Sequence, residues 1–175
     1  MKRLMLLAVA LLTLIAVPAA MAADAMKVGY VDLQKALNMS AAGKAAKEKM
    51  KAKFKDYDAD VQKKQEELKK LKDDLEKQAM LLSAEARAAK ERDYQQKVKD
   101  YQRLTKDIQE ELQQTDADYT RKILEEIFKI VQQIGKQEGY TMILEKTESS
   151  ILYASDGIDM TDRVIQSFDK QSAGR

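Results

Sequence analysis

The chemistry open to this 175-residue chain is narrow, because histidine, cysteine and tryptophan are all absent. Their absence removes nucleophile–base pairs, thiol chemistry and the usual transition-metal ligands together. The acids nearest to a constellation are Asp156, Asp159 and Asp162, spaced three apart. A calcium loop would want acids at alternate positions and a closing glutamate, so these read instead as turn and capping residues. No glycine loop suited to phosphate occurs, and Gly135 and Gly139 fall at a helix end and not in a membrane span. Asn38-Met39-Ser40 matches a glycosylation triplet, a pattern that recurs by chance. No catalytic, metal-binding or cofactor-binding residue is assigned; the chain reads as a protein without a cofactor that is not an enzyme.

The elements that remain describe a shape. Lys2 and Arg3 precede an apolar run over residues 4–17, Pro18 ends the run, and Ala20-Met21-Ala22 puts small residues where signal peptidase reads. About 14 apolar residues span about 21 Å of helix, short of a ~30 Å hydrocarbon core. Residues 1–22 are therefore read as a secretory signal cleaved after Ala22, not as a retained anchor. Without cysteine there is neither a disulfide nor a lipidation site. Lys2 and Arg3 leave with the signal, so 31 bases against 29 acids become 29 against 29, and the exported chain is near neutral. Its charge is uneven: residues 44–72 hold eleven lysines against six acids. Such a stripe either draws acidic partners or lipid head groups, or is a solvated helix face with interspersed acids, which is the reading preferred here.

Two long charged segments, residues 43–79 and 83–138, carry helical periodicity. Met50, Phe54, Tyr57, Val61, Leu68, Leu71, Leu75 and Leu82 follow a four-three alternation whose missing steps are Lys64 and Gln78. Tyr94, Val98, Tyr101, Thr105, Ile108, Leu112, Thr115 and Tyr119 repeat that alternation on the returning helix, so the two seams can zip into an antiparallel coiled coil. After Tyr119 the steps become Ile123, Ile127, Ile130 and Ile134, an extra step of four that changes the local winding. Leu124, Phe128 and Val131 add a second apolar face there, which predicts burial on two sides. Ser83 is the expected N-cap of the return helix, with an acid in the first turn. The hairpin should be an arm of roughly 55 Å whose stability falls from base to tip. Met39, Met50 and Met80 could repack against varied partners, although Met50 lies in the seam and reads as filling.

The ends of the exported chain predict a small body. Strands are expected at residues 28–32, 140–145 and 151–155, the last two joined through residues 146–150. Gly139 ends the long helix, and a last helix over residues 161–170, capped by Asp159 or Thr161, should bury Val164, Ile165 and Phe168. So small a core implies oligomerisation through the strands. The expected interface is Val28, Tyr30, Val31, Ile143, Leu144, Leu152 and Tyr153. The fold class is α+β, mostly α: a helical-hairpin arm, residues 43–127, on a β-containing oligomerisation body, residues 23–42 and 128–175.

The order strand, long hairpin, strands and short helix, behind a signal peptide, resembles the Skp (OmpH-like) family of periplasmic chaperones for outer-membrane proteins. The residues that carry the likeness are VGYVDLQKALNMS (28–40), LLSAEAR (81–87) and ILYASDGIDMTDRVI (151–165). The resemblance covers essentially the whole exported chain and implies a homotrimer whose arms enclose unfolded β-barrel precursors. Unfolded barrel strands expose apolar faces and unpaired backbone, which aggregate in water, and an ATP-independent holdase in the periplasm would keep them apart through many weak contacts. The expected client-binding residues are Met80, Leu81 and Leu82 at the tip, with Lys63, Lys64, Lys69 and Lys70 assisting. Family members are often strongly basic; this near-neutral chain implies at most weak contact with a membrane surface or lipopolysaccharide. A rival reading is a structural or adaptor coiled coil of the envelope whose tip docks on a partner complex. Export and neutral charge argue against nucleic acid as a partner.

Overall fold

Parallel strands cannot be joined by a tight turn; the connection must leave one end of the sheet and return to the other. In this protein, described by a computed structural model over residues 26–174, that connection is nearly the whole molecule. The signal segment and its cleavage after Ala22 lie outside the described residues. Strand β1 (Val28–Val31) pairs in parallel with β2 (Met142–Glu145), in register from Val28 opposite Met142 to Val31 opposite Glu145. Between them run α1 (Leu33–Met39), α2 (Ala41–Gln78) and α3 (Ala84–Gln137). A 3₁₀ turn (Asp156–Ile158) and α4 (Thr161–Ala173) complete the chain. This is the mostly helical α+β architecture that the sequence predicts.

Capping chemistry sets the helix ends. The Asp32 carboxylate accepts from Lys35 N at 2.7 Å to start α1. Ser40, fully buried, donates to Leu37 O and accepts from Gly43 N at 3.1 Å, closing α1 and opening α2 in one residue. The chain bends so sharply there that a Cβ at Gly43 would lie 1.7 Å from Leu37 O, so glycine is required. Asp169 of α4 also caps α2, accepting from Ala41 N at 2.9 Å. At the far turn Ser83 accepts from Ala86 N, the expected cap. Gly139, at φ +68°, follows the last residues of α3 and lets Tyr140 N reach Gly135 O.

The core gathers at the base. Val31, Ala36, Ile123, Ile127, Ile130, Ile134, Met160, Val164 and Phe168 form one buried cluster. The isoleucine steps of α3 therefore face β1, α1 and α4, as their spacing predicts. Lys27 and Arg163 flank the Tyr140 ring at 4.0 and 5.9 Å, and Arg163 pairs with Glu138 at 2.6 Å. Lys27 also donates to Glu138 O at 2.8 Å, a cation at the C-terminal end of α3 where the helix dipole favours one.

Four expectations are corrected. Residues 151–155 form no strand: β1 uses one edge for β2 and the other for a bridge between Tyr30 and Asp159, and the segment runs out into solvent. Phe128 is 48% exposed, because the two-stranded sheet is too small to cover the second apolar face of α3. Phe54 leaves the seam, 61% exposed, and Lys53 turns inward in its place. The residue before α4 is Met160, which has no side-chain cap; Asp159 acts one step earlier, accepting from Thr161 N at 2.8 Å.

Candidate interaction surfaces of the arm and body

No residue of α2 is buried, and in α3 burial begins only at Ile123. The seam residues from Tyr57 to Leu75 and from Tyr94 to Tyr119 are instead half-covered, each sharing its surface between the partner helix and water. A two-helix hairpin leaves every seam position open along one side, since a single partner cannot enclose it.

One polar node crosses the arm. Lys53 Nζ lies 2.6 Å from Glu111 Oε1 and 3.4 Å from Thr115 Oγ1, with the Tyr57 ring beside it at 5.8 Å. The hydrogen bond from Lys53, with a second from the Tyr57 hydroxyl, holds the Glu111 carboxyl below its usual pKa. The same bond to Glu111 raises Lys53. This is the one cross-helix ion pair of the arm among the described residues; Lys72 with Glu76, Arg87 with Glu91 and Lys106 with Glu110 stay within their own helices. The heptad count placed Phe54 here and missed the node. A lysine one residue before a seam aromatic, with a glutamate flanking the opposite seam, was the signal that could have revealed it.

At the tip, Leu81 N and Leu82 N both donate to Gln78 O, which folds the turn back on the end of α2. Met80 is then 95% exposed and Leu81 85%, while Leu82 packs partly against the hairpin. Lys63, Lys69 and Lys70 project into solvent, and Lys64 pairs with Glu67 of its own helix at 3.4 Å. The expected tip and lysine residues thus lie on one arm but do not converge on a common pocket.

The expected interface residues divide. Tyr30 and Val31 are inside the chain's own core, so they offer no surface to a partner. Burial first, and then the neighbouring Asp159, raise the Tyr30 hydroxyl above its usual pKa. Val28, Ile143 and Leu144 are half-buried, whereas Leu152 is fully exposed and Tyr153 nearly so. With Phe128 and Met142, they are large apolar side chains that the body leaves open to a partner. Of the three spaced aspartates, Asp159 caps, Asp162 pairs with Lys35 at 2.7 Å and Asp156 opens the 3₁₀ turn. At Asp159 burial acts to raise the pKa, and hydrogen bonds from Thr161 and Tyr30 overcome it, so the carboxyl stays below its ordinary value. Among the described residues no cluster of acids could hold a metal ion, and no helix is long and apolar enough to cross a membrane.

The family model for Outer membrane protein (OmpH-like) matches residues 27–168. The structure is also similar to the crystal structure of a protein described as an outer membrane chaperone (OmpH-like) from Caulobacter crescentus CB15. That likeness has a TM-score of 0.78 at 19% identity and covers 83% of this chain and 85% of the other. No curated protein matches the sequence.

Proposed function

The chain belongs to the OmpH-like family, and from that premise we propose that it is an ATP-independent periplasmic holdase for unfolded outer-membrane β-barrel proteins. The observation that carries the reading is the arm itself: a helix of 38 residues, roughly 57 Å long, with no side chain buried. Surface of that extent, polar with scattered apolar side chains, suits many weak contacts with a chain that has no fixed shape. The Caulobacter neighbour, described as an outer membrane chaperone, supports the same reading.

A single arm encloses nothing, so the reading includes self-association, with three copies as the resemblance implies. The body, residues 23–42 and 128–175, would assemble the copies, and the arms, residues 43–127, would surround the client. Leu152, Tyr153, Phe128 and Met142 are exposed apolar groups suited to that contact. The alternation of residues 151–155, unpaired within one chain, would find a strand partner on a neighbouring copy. Export to the periplasm rests on the signal read over residues 1–22. Client contact is assigned to the exposed faces of the arm, to Met80, Leu81 and Leu82, and to Lys63, Lys64, Lys69 and Lys70. With near-neutral charge, any contact with lipopolysaccharide or a membrane surface is weak.

One observation favours a second reading. Met80 and Leu81, almost fully exposed at a hydrogen-bonded turn, could form a compact epitope for an envelope complex, which is the adaptor alternative. Light scattering of residues 23–175, alone and after an unfolded β-barrel protein is diluted into it from urea, separates the two. A holdase gives a defined oligomer and a discrete soluble complex; an adaptor gives the oligomer and lets the client aggregate. Removing matched heptads from both helices beside the turn is expected to keep assembly and lower the largest client retained. An unchanged size limit would remove the cage.

A further inference from the structure

The seam step at position 64 is lysine where most other steps of α2 are apolar, and the structure has a gap in the arm there. The Lys64 side chain is 54% exposed and turned to Glu67. Between the helices lies a cleft of about 330 Å³ that includes Leu68, Tyr101 and Leu104, all half-buried. A heptad position without its apolar knob leaves its hole open to a side chain from elsewhere. The volume is at the low end of ligand pockets, ~300–1,000 Å³, which suits one large side chain and not a strand.

Charge narrows the occupant. The rim carries Lys64, Lys97 and Arg103 against Glu67 and Asp100, one cation in excess. Glu67 faces Lys64, and Asp100 faces Arg103 at 3.5 Å and accepts from Gln96. Among the described residues Lys97 has no ion-pair or hydrogen-bond partner. We propose that this cleft receives the C-terminal residue of an unfolded client when that residue is aromatic, its ring against Leu68, Tyr101 and Leu104 and its terminal carboxylate on the Lys97 ammonium. An aromatic ring meets Tyr101 with the ring-to-ring preference that aliphatic side chains lack. A terminal residue carries its negative charge on the same Cα as the ring, so one cleft can satisfy both. A mid-chain residue would bring two peptide groups and no charge. The inference rests on the holdase reading and gives the arm one specific contact among its weak ones.

The test is fluorescence anisotropy with labelled peptides of one sequence and different ends. The peptide ending in Phe with a free carboxylate is expected to bind at least tenfold tighter than its amide or its Ala-ended counterpart. Lys97→Gln should reduce the acid to the affinity of the amide. Lys64→Leu, which supplies the missing apolar knob, should abolish binding of all three while the helical circular dichroism is kept. Equal binding of acid and amide, or indifference to Lys97→Gln, overturns the proposal. So does equal binding of an amidated peptide with Asp beside the Phe, since that assigns the charge to a side chain. Wild-type protein is scored in parallel for holding a full-length barrel protein in solution. Failure there removes the holdase reading; failure of end selectivity with holding intact removes only the cleft.

Discussion

The body and the arm are built from similar helices and held by different physics. In the body, β1, α1, α4 and the last turns of α3 enclose a common cluster in which Ile127, Met160 and Val164 are wholly buried. In the arm, two helices face each other with every seam side chain half in water, and one ion pair crosses between them. Cohesion in the body is thus collective, while in the arm it is a series of small, nearly independent steps. A molecule divided this way can keep its base folded while its arm changes shape.

The largest effect should come from breaking the base. Ile127→Ala is expected to destabilise the chain by about 2–5 kcal/mol, the range for a fully buried aliphatic truncation, with loss of arm and body together in urea denaturation followed by circular dichroism. A transition in which the arm helices survived the loss of the core would contradict the dependence of arm on base.

Next in size is assembly. Leu152→Asp with Tyr153→Asp changes side chains that are 100% and 88% exposed, so the fold of the single copy should be kept. Sedimentation velocity is expected to show conversion of the proposed oligomer to monomer. If the oligomer persisted, the apolar outside of the body would need another explanation.

The same division marks what was legible in the sequence. The arm could be read almost to the residue, because a long period repeats the same evidence many times and because Ser83 and Gly139 punctuate it with local chemistry. The isoleucine steps also identified the base of α3. What could not be read depended on partners far away in the chain. Asp169 caps a helix that begins 128 residues earlier, and nothing near either residue announces it. The choice between Lys53 and Phe54 as the inward residue was decided by Glu111 across the arm. Residues 151–155 alternate like a strand, but a strand needs an edge, and both edges of β1 are taken, one by β2 and the other by the bridge to Asp159. For the candidate site the limit was of another kind: exposure at Met80 and Leu81 followed from the turn, whereas the cleft beside Lys64 required both helices in register.

Within the arm, seam truncations should be mild and local. Ile108→Ala removes a half-covered side chain, and about 1 kcal/mol is expected, a fraction of the cost at a buried site. Amide hydrogen exchange is the measurement that locates it: faster exchange in the arm around residue 108, with protection around Ile127 and Ile130 unchanged. An equal rise in the body would mean that the arm and base unfold as one unit, and the contrast between them would fail.

The smallest effect sharpens the comparison by pH. Glu111 is held below its usual pKa first by Lys53 and then by Tyr57, so its ionised form favours the closed arm. A carboxyl depressed on folding contributes stability above its unfolded value, ~4.3 for glutamate, and that contribution is lost as pH falls through the lower folded value. Lys53, raised by the same contact, stays protonated throughout this window and adds no titration of its own. Acidification from neutral pH should therefore leave the node intact until about pH 4 and then loosen the part of the arm nearer its base. Hydrogen exchange around residues 53–57 and 108–115 should rise there in wild type and lose that step in Glu111→Gln. Asp159 is also held below its ordinary value but lies against Thr161 and Tyr30 in the body, so any change it causes should appear in exchange at residues 159–164 and persist in the variant. A step in the arm that survived Glu111→Gln would show that the node does not couple the two helices, and the arm would then rest on its half-buried seam alone.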